Sequence, residues 1–119
     1  MKIAVTATGT QLESAVDPRF GRARYILIID PDTMDFEAVD NSGNVNAFKG
    51  AGIGAATMVS KKGAEVLLTG YCGPKAFLTL EASGIKVVND ISGTVMDAVT
   101  AFRDGRVTYA TGANKDAHW

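Results

Sequence analysis

The segment Gly50 to Thr69, GAGIGAATMVSKKGAEVLLT, predicts a helix followed by a buried strand. Small and apolar residues recur at helical spacing, namely Gly52, Ala55, Ala56 and Val59. Gly63 ends this pattern, as glycine often does just past a helix. Glu65 to Thr69 is a short apolar run, typical of parallel strands that are covered on both faces. A helix that leads into such a strand favours an α/β fold with parallel crossovers.

A second unit of the same kind follows directly. Gly70 to Gly73 predicts a turn, Pro74 stands at the first helical position that proline tolerates, and Gly84 predicts the helix end. Ile85 to Val88 repeats the strand signal. A last helix is predicted between Thr94 and Gly105, because threonine is a common N-cap and glycine a common stop.

The first half of the chain predicts three strands without a helix between them. Lys2 to Thr8 and Arg24 to Asp30 are rich in β-branched and apolar residues, and Met34 to Val39 alternates apolar with acidic residues. The turn chemistry of Pro31-Asp32 makes the second and third strands an antiparallel hairpin. Asp40 to Lys49 is predicted to be a polar loop.

This order predicts a three-layer α/β/α architecture with a mixed five-stranded sheet in which only the second strand is antiparallel. Residues 1–110 are predicted to form a single domain, and residues 111–119 a loose C-terminal tail. Val107 to Tyr109 is a candidate for a short final strand.

Composition excludes several classes of partner. Twelve basic and thirteen acidic residues give a net charge of −1, which offers no global attraction to nucleic acid or to an anionic membrane. The longest apolar run, Tyr25 to Ile29, is far shorter than a membrane span, and Met1 opens directly into strand-like sequence, so we expect a cytoplasmic protein. A single cysteine, Cys72, argues against an internal disulfide and against a thiolate-only zinc or iron–sulfur site. The single histidine, His118, gives little support to His-based catalysis.

The predicted topology brings four segments to one edge of the sheet. These are Thr8 to Gln11, Asp17 to Arg24, Gly50 to Gly54 and Gly70 to Lys75. Two of them open helices, whose unbonded N–H groups and positive dipole ends favour anions. Basic side chains accompany them: Arg19, Arg22, Arg24, Lys49 and Lys75. The sequence therefore predicts one cationic, glycine-rich pocket on a nearly neutral protein.

Each of these signals has a second interpretation. The glycines can serve close packing of helix against sheet instead of ligand approach, and the arginine cluster can be a solvated loop paired with Asp17 or Glu13. Cys72 can be a small buried hydrophobe. Alternatively, its position before a helix lowers its pKa and makes it a thiolate ligand. An enzyme that hydrolyses phosphodiesters is disfavoured, because Ala4 to Thr6 and Val66 to Leu68 place no carboxylate in the middle of the sheet.

Four ordered motifs carry a family resemblance. They are DPRFGRA at 17–23, GAGIGAA at 50–56, Thr69-Gly70 followed by GPKA at 73–76, and ASGIKV at 82–87. Over about residues 1–105 the chain resembles the dinitrogenase iron–molybdenum cofactor biosynthesis family of the NifX/NifB C-terminal type. The resemblance implies a ribonuclease H-like fold and a protein that carries or hands over metal–sulfur cofactors, without settled catalytic residues.

Within that family, a free-standing chain of this length with Cys72 is similar to a small non-enzymatic carrier of an anionic molybdenum–copper sulfide cluster. The cluster-binding residues predicted on this basis are Thr8, Arg19, Arg22, Gly50, Gly52, Ile53, Gly54, Tyr71, Gly73 and Lys75, with Cys72 as a contact for a soft metal. The predicted partners are the cluster and a protein that donates or accepts it, not nucleic acid or membrane. The alternatives are a carrier or chaperone of a nitrogenase-cofactor precursor, and a regulatory module that binds phosphate or nucleotide at the same loops.

Overall fold

A computed structural model describes residues 1–45 and 50–112. The strands are β1 (Ile3–Ala7), β2 (Tyr25–Ile29), β3 (Phe36–Asp40), β4 (Val66–Leu68) and β5 (Lys86–Val88). The helices are α1 (Ser42–Val45), α2 (Ala51–Lys61), α3 (Pro74–Ala82) and α4 (Val95–Arg103). Within the described ranges, no helix is long and apolar enough to span a bilayer.

The strands form one mixed sheet in the order β3-β2-β1-β4-β5. β1 pairs in parallel with β4, and β4 with β5, whereas β2 is antiparallel to both of its neighbours. The predicted five-stranded mixed sheet with an antiparallel second strand is therefore confirmed. The carboxyl ends of β1, β3, β4 and β5 and the start of β2 lie along one edge, which we call the upper edge of the sheet.

Side chains of the central strands alternate between two cores, because successive residues of a strand point to opposite faces. Ala4, Ile26 and Leu67 lie in the core that also contains residues of α2 and α3, whereas Val5 and Leu68 lie in the core that contains residues of α4. Helices therefore cover both faces of the sheet, and the three-layer α/β/α architecture is confirmed. The ribonuclease H-like label and the division at residue 110 stay predictions.

Two local predictions are wrong. Residues 107–109 form no strand; a hydrogen bond from the Ala110 N–H to the Val87 carbonyl at 2.7 Å ties the following residue to β5, without a strand ladder. The stretch predicted as a polar loop contains α1, which begins where the Asp40 carboxylate accepts the Ser42 N–H at 2.7 Å. Residues 46–49 and 113–119, which include Lys49 and most of the predicted tail, lie outside the described residues.

Candidate anion-binding site

The upper edge has a topological switch point between β1 and β4. The chain leaves β1 toward β2 on one side of the sheet and leaves β4 toward β5 on the other. In open α/β sheets, ligands bind in the crevice outside the carboxyl ends of such strands. The topology therefore predicts a ligand site at the residues that follow Ala7 and Leu68.

The loop of residues 17–24 is fixed across this point by backbone hydrogen bonds. The Asp17 N–H donates to the Thr6 carbonyl at 3.0 Å, next to the end of β1. On the β4 side, the Tyr71 N–H donates to the Pro18 carbonyl at 2.7 Å, and the Phe20 N–H donates to the Tyr71 carbonyl at 3.3 Å. Arg19, between these bonds, forms an isolated parallel bridge with Tyr71.

Glycines allow this loop to approach the helices. A β-carbon on Gly21 would lie 2.6 Å from the Gly52 nitrogen, and one on Gly70 would lie 2.6 Å from the Pro18 carbonyl oxygen. A β-carbon on Gly52 would lie 2.8 Å from that of Ala76, in the first turn of α3. Close packing therefore accounts for Gly21, Gly52 and Gly70, whereas a β-carbon on Gly50 would meet no atom within 4 Å.

These contacts join three of the four predicted segments into one surface. Arg19 adjoins Tyr71 through the bridge, the Gly21 backbone adjoins Gly52, and Gly52 adjoins Ala76, the residue after Lys75. We call the surface formed by Arg19, Gly50 to Gly54, Tyr71 and Gly73 to Lys75 the cradle. It unites the beginnings of α2 and α3 with a basic loop.

Thr8 forms its hydrogen bonds with a segment outside the cradle. Its N–H and its hydroxyl both donate to the Ala15 carbonyl, at 3.0 and 3.3 Å. Ala15 in turn bridges to Thr94 at the start of α4, on the other face of the sheet. The structure thus connects Thr8 to the α4 layer, and its part in ligand binding stays a prediction.

The two helices that open at the cradle lack side-chain N-caps. Their N-cap residues are Gly50 and Gly73, and neither helix has an acidic residue in its first turn. The helix on the opposite face contrasts with both, because Thr94 and Asp97 form a reciprocal capping box at the start of α4. The first N–H groups of α2 and α3 therefore have no N-cap side chain as acceptor, and their dipoles favour an anion.

In the loop of residues 17–24, Arg19 and Arg24 have carboxylate neighbours. The Asp17 carboxylate, only 9% exposed, accepts the Arg19 N–H at 3.0 Å and lies 3.8 Å from Arg19 Nε, while the Arg19 side chain is 52% exposed. Arg24 lies 4.0 Å from the Asp40 carboxylate and 5.2 Å above the Tyr25 ring. Arg22 is partly buried. The predicted pairing with Asp17 therefore holds for Arg19, and it leaves this guanidinium at the surface.

The prediction that the Cys72 pKa is lowered is wrong. The side chain is fully buried in the core beneath α2 and α3, and burial raises the pKa of the thiol to about 12. Its Sγ donates to the Gly73 carbonyl at 3.6 Å. Desolvation of the thiolate outweighs the helix dipole here. A dipole effect of about 1 kcal/mol lowers a pKa by less than about one unit, whereas full burial raises the pKa of a thiol by up to about 3–5 units. The structure supports the alternative that Cys72 is a small buried hydrophobe.

Sequence reasoning missed the residues that hold the basic loop. Thr6 Oγ1 donates to the Asp17 carbonyl at 2.6 Å and lies 2.9 Å from Thr69 Oγ1. Asn41 is buried, and its Nδ2 donates to the Ala23 carbonyl at 2.8 Å. Phe20 anchors the loop in the core. One signal was available, because Thr6 and Thr69 are polar residues at the ends of otherwise apolar strands.

A groove of about 650 Å³ lies outside the cradle and is lined by residues 88–91 and 106–112. In this lining, the buried Oδ1 of Asn89 has no hydrogen-bond partner among the described residues. Within the same described ranges, His, Cys, Asp and Glu side chains form no group of three that could hold a metal ion.

Comparisons with known proteins agree with this architecture. The family model described as "Dinitrogenase iron-molybdenum cofactor" matches residues 1–105. The apo form of the orange protein from Desulfovibrio gigas is 53% identical, with a TM-score of 0.94 and coverage of 96% of both chains. The NMR structure of a putative NifB protein from Thermotoga is 34% identical, with a TM-score of 0.83 and coverage of 96% of this chain and 97% of that one. An uncharacterized protein of Methanocaldococcus jannaschii is 24% identical over 110 residues, covering 90% of this chain and 89% of its own.

Proposed function

Because the chain belongs to the dinitrogenase iron-molybdenum cofactor family, we propose that it is a non-enzymatic carrier of an anionic metal–sulfide cluster. The single observation that carries this proposal is the cradle. It brings the main chain of the basic loop at Arg19 and Gly21 together with the N-termini of α2 and α3, with Lys75 in the first turn of α3, in a protein whose net charge is −1.

The chemistry of such a cargo suits this surface. A preassembled sulfide cluster satisfies the coordination of its own metals, so the protein needs to supply positive charge, N–H donors for sulfur and an apolar wall. Arg19, Arg22 and Lys75 supply charge, and the amides of Gly50 to Ile53, Gly73 and Lys75 are the proposed donors. The Gly54 and Tyr71 amides already donate to the Gly50 and Pro18 carbonyls. Ile53, 41% exposed at the start of α2, supplies apolar surface.

The proposed cargo is the molybdenum–copper sulfide cluster that the sequence resemblance implies. Its retention would rest on several charge-assisted hydrogen bonds of about 1.5–3 kcal/mol each, before the cost of ordering the site is subtracted. The 53% identity to the orange protein places this chain nearer to that relative than to the other two described above.

A direct test is anaerobic purification followed by one visible spectrum and a metal analysis. A sulfide-bridged cluster absorbs visible light, and we expect a coloured protein that contains molybdenum and copper. Molybdenum with iron in place of copper would instead identify a precursor of the nitrogenase cofactor. A colourless, metal-free protein that takes up no thiomolybdate would contradict the carrier function.

A phosphate- or nucleotide-binding module is the second candidate, and the uncapped starts of α2 and α3 favour it equally. Competition separates the two functions. Excess inorganic phosphate or nucleotide should not displace tetrathiomolybdate from a sulfide-cluster carrier. Displacement at micromolar nucleotide would favour the regulatory module.

A contact between Cys72 and copper stays a narrower proposal, and the complete burial of the side chain in the core speaks against it. The raised pKa of Cys72 means that the thiol must lose a proton as the metal binds. We expect Cys72→Ser to retain tetrathiomolybdate, because the cradle supplies the charge. Loss of copper from the same variant would assign the thiol as a ligand, and an unchanged copper content would remove it from the site.

A further inference from the structure

A buried hydrogen-bonded chain leads from the sheet to Arg19. It begins at Thr69, whose hydroxyl lies 2.9 Å from that of Thr6. Thr6 then donates to the Asp17 carbonyl at 2.6 Å, and the Asp17 carboxylate accepts the Arg19 N–H at 3.0 Å. The series thus connects two central strands to the main chain of Arg19, and the same carboxylate lies 3.8 Å from Arg19 Nε.

The position of the two hydroxyls is informative. Val5 is paired with Leu68, so Thr6 and Thr69 occupy the next positions of β1 and of the chain after β4, directly below the switch point. Both side chains are fully buried. Valine would fill nearly the same volume, and a buried hydroxyl is costly unless it is hydrogen-bonded. Packing alone therefore does not require hydroxyls at these positions.

We propose that Thr6, Thr69 and Asp17 are positioning residues that hold Arg19 ready to bind an anion. This inference rests on the proposed carrier function and deepens it. Thr6 fixes the main chain of the loop at Asp17, and the Asp17 carboxylate restrains Arg19 through its N–H and its Nε. The terminal nitrogens of the guanidinium carry further N–H donors, and the side chain is half exposed.

The energetic effect follows from preorganisation. An arginine that is already confined loses less conformational freedom when the anion binds, so the same contacts give a higher affinity. In a buried hydrogen-bond network, the loss of one bond also weakens the bonds next to it. Removing the Thr6 hydroxyl should therefore weaken anion binding, although the Thr6 side chain is fully buried.

The test uses tetrathiomolybdate as the probe and measures its Kd by titration with the full chain. We expect Thr6→Val to raise the Kd about five- to tenfold, as the loss of one buried hydrogen bond can do. Thr6→Ser restores the hydroxyl and should bind as the wild type does. Thr100→Val, at an exposed position of α4, is the matched control.

A double-mutant cycle with Arg19→Ala separates positioning from general stability. If Thr6 acts through Arg19, Thr6→Val causes no further loss of affinity in the Arg19→Ala background. An equal loss in both backgrounds, or a wild-type Kd for Thr6→Val, would overturn the inference. Failure of the wild type to bind tetrathiomolybdate would instead overturn the carrier function. If Thr6→Val does not fold, Thr69→Val, which retains the bond from Thr6 to Asp17, is measured in the same cycle with the same two criteria.

Discussion

At the scale of single residues, the two main cations of the cradle are held differently. Arg19 is restrained by the buried Asp17 carboxylate, whereas Lys75 is exposed in the first turn of α3 and its carbonyl accepts the Thr79 hydroxyl at 2.9 Å. A lysine near a helix N-terminus is unfavourable for the helix itself, because the dipole end is positive. A bound anion would relieve this repulsion, which is a physical reason for a cation at this place.

The variant Arg19→Ala/Lys75→Ala tests these two cations together. We expect its Kd for tetrathiomolybdate to rise at least about tenfold, since each charge-assisted hydrogen bond contributes about 1.5–3 kcal/mol. The control is Arg103→Ala/Lys61→Ala, which removes the same charge from the last turns of α4 and α2. Equal losses of affinity in both pairs would show a nonspecific charge effect and no cradle.

Cys72 predicts a pH dependence of stability. Burial raises its folded-state pKa from 9.0 to about 12, so between these values the unfolded chain loses the thiol proton and the folded chain keeps it. The contribution is complete below about pH 9 and is lost as pH rises, with the free energy of unfolding falling by about 1.4 kcal/mol per pH unit from this group.

Urea denaturation of the wild type and of Cys72→Ala at several alkaline pH values measures this effect. Tyrosine and lysine titrations are common to both proteins, so the comparison isolates the thiol. The wild type should lose stability more steeply than the variant above pH 9. Parallel curves would mean that the thiol titrates normally and is reachable by solvent.

At the scale of elements, the contact between the basic loop and α2 depends on the absence of side chains. Gly21 lies against the backbone of Gly52, and backbone atoms cannot move aside as a flexible side chain can. Gly43 in α1 offers a contrast, because a β-carbon there would meet nothing within 4 Å. Replacing glycine by alanine at both sites therefore separates the effect of close packing from the effect of losing a glycine.

We expect Gly21→Ala to lower the free energy of unfolding by about 1–3 kcal/mol, because overpacking forces the loop and the helix apart. It should also weaken tetrathiomolybdate binding, since the cradle opens. Gly43→Ala should leave stability unchanged or raise it by up to about 1 kcal/mol, as alanine does inside helices. Thermal or urea unfolding measures both, and equal stabilities of the two variants would argue against the close approach.

At the scale of the whole molecule, the net charge of −1 and the local positive charge of the cradle act differently on an anion. The overall field gives no attraction, so binding depends on charges at short range. Screening acts on exposed charges such as Lys75 and half-exposed Arg19, because the Debye length falls from about 10 Å at 0.1 M salt to about 3 Å at 1 M.

Raising the ionic strength from about 0.05 M to about 0.5 M should weaken tetrathiomolybdate binding by the wild type. The Arg19→Ala/Lys75→Ala variant should respond less, because the screened charges are gone. Duplex DNA should not bind at either salt concentration, since no extended basic face is predicted. A salt-independent Kd for the wild type would remove the electrostatic basis of the cradle.

Several elements were predictable because their signals are local. The apolar runs of β1, β2, β4 and β5 and the glycine and threonine signals around the helices correspond to the observed elements within a few residues. The short helix α1 was not predictable in the same way. Ser42 to Val45 contains glycine and has no apolar periodicity, and its start depends on the bond between Asp40 and the Ser42 N–H.

Periodicity and glycine placement in the sequence were enough to determine the mixed sheet, its antiparallel second strand and the edge at which the basic loop and two helix starts meet. The tertiary structure alone decided what the side chains do there. Thr6 reaches Thr69 across 63 positions of sequence, and the desolvation of Cys72 comes from a core contributed by several elements. Hydrogen-bond partners and local dielectric depend on residues distant in the chain, and no local pattern encodes them.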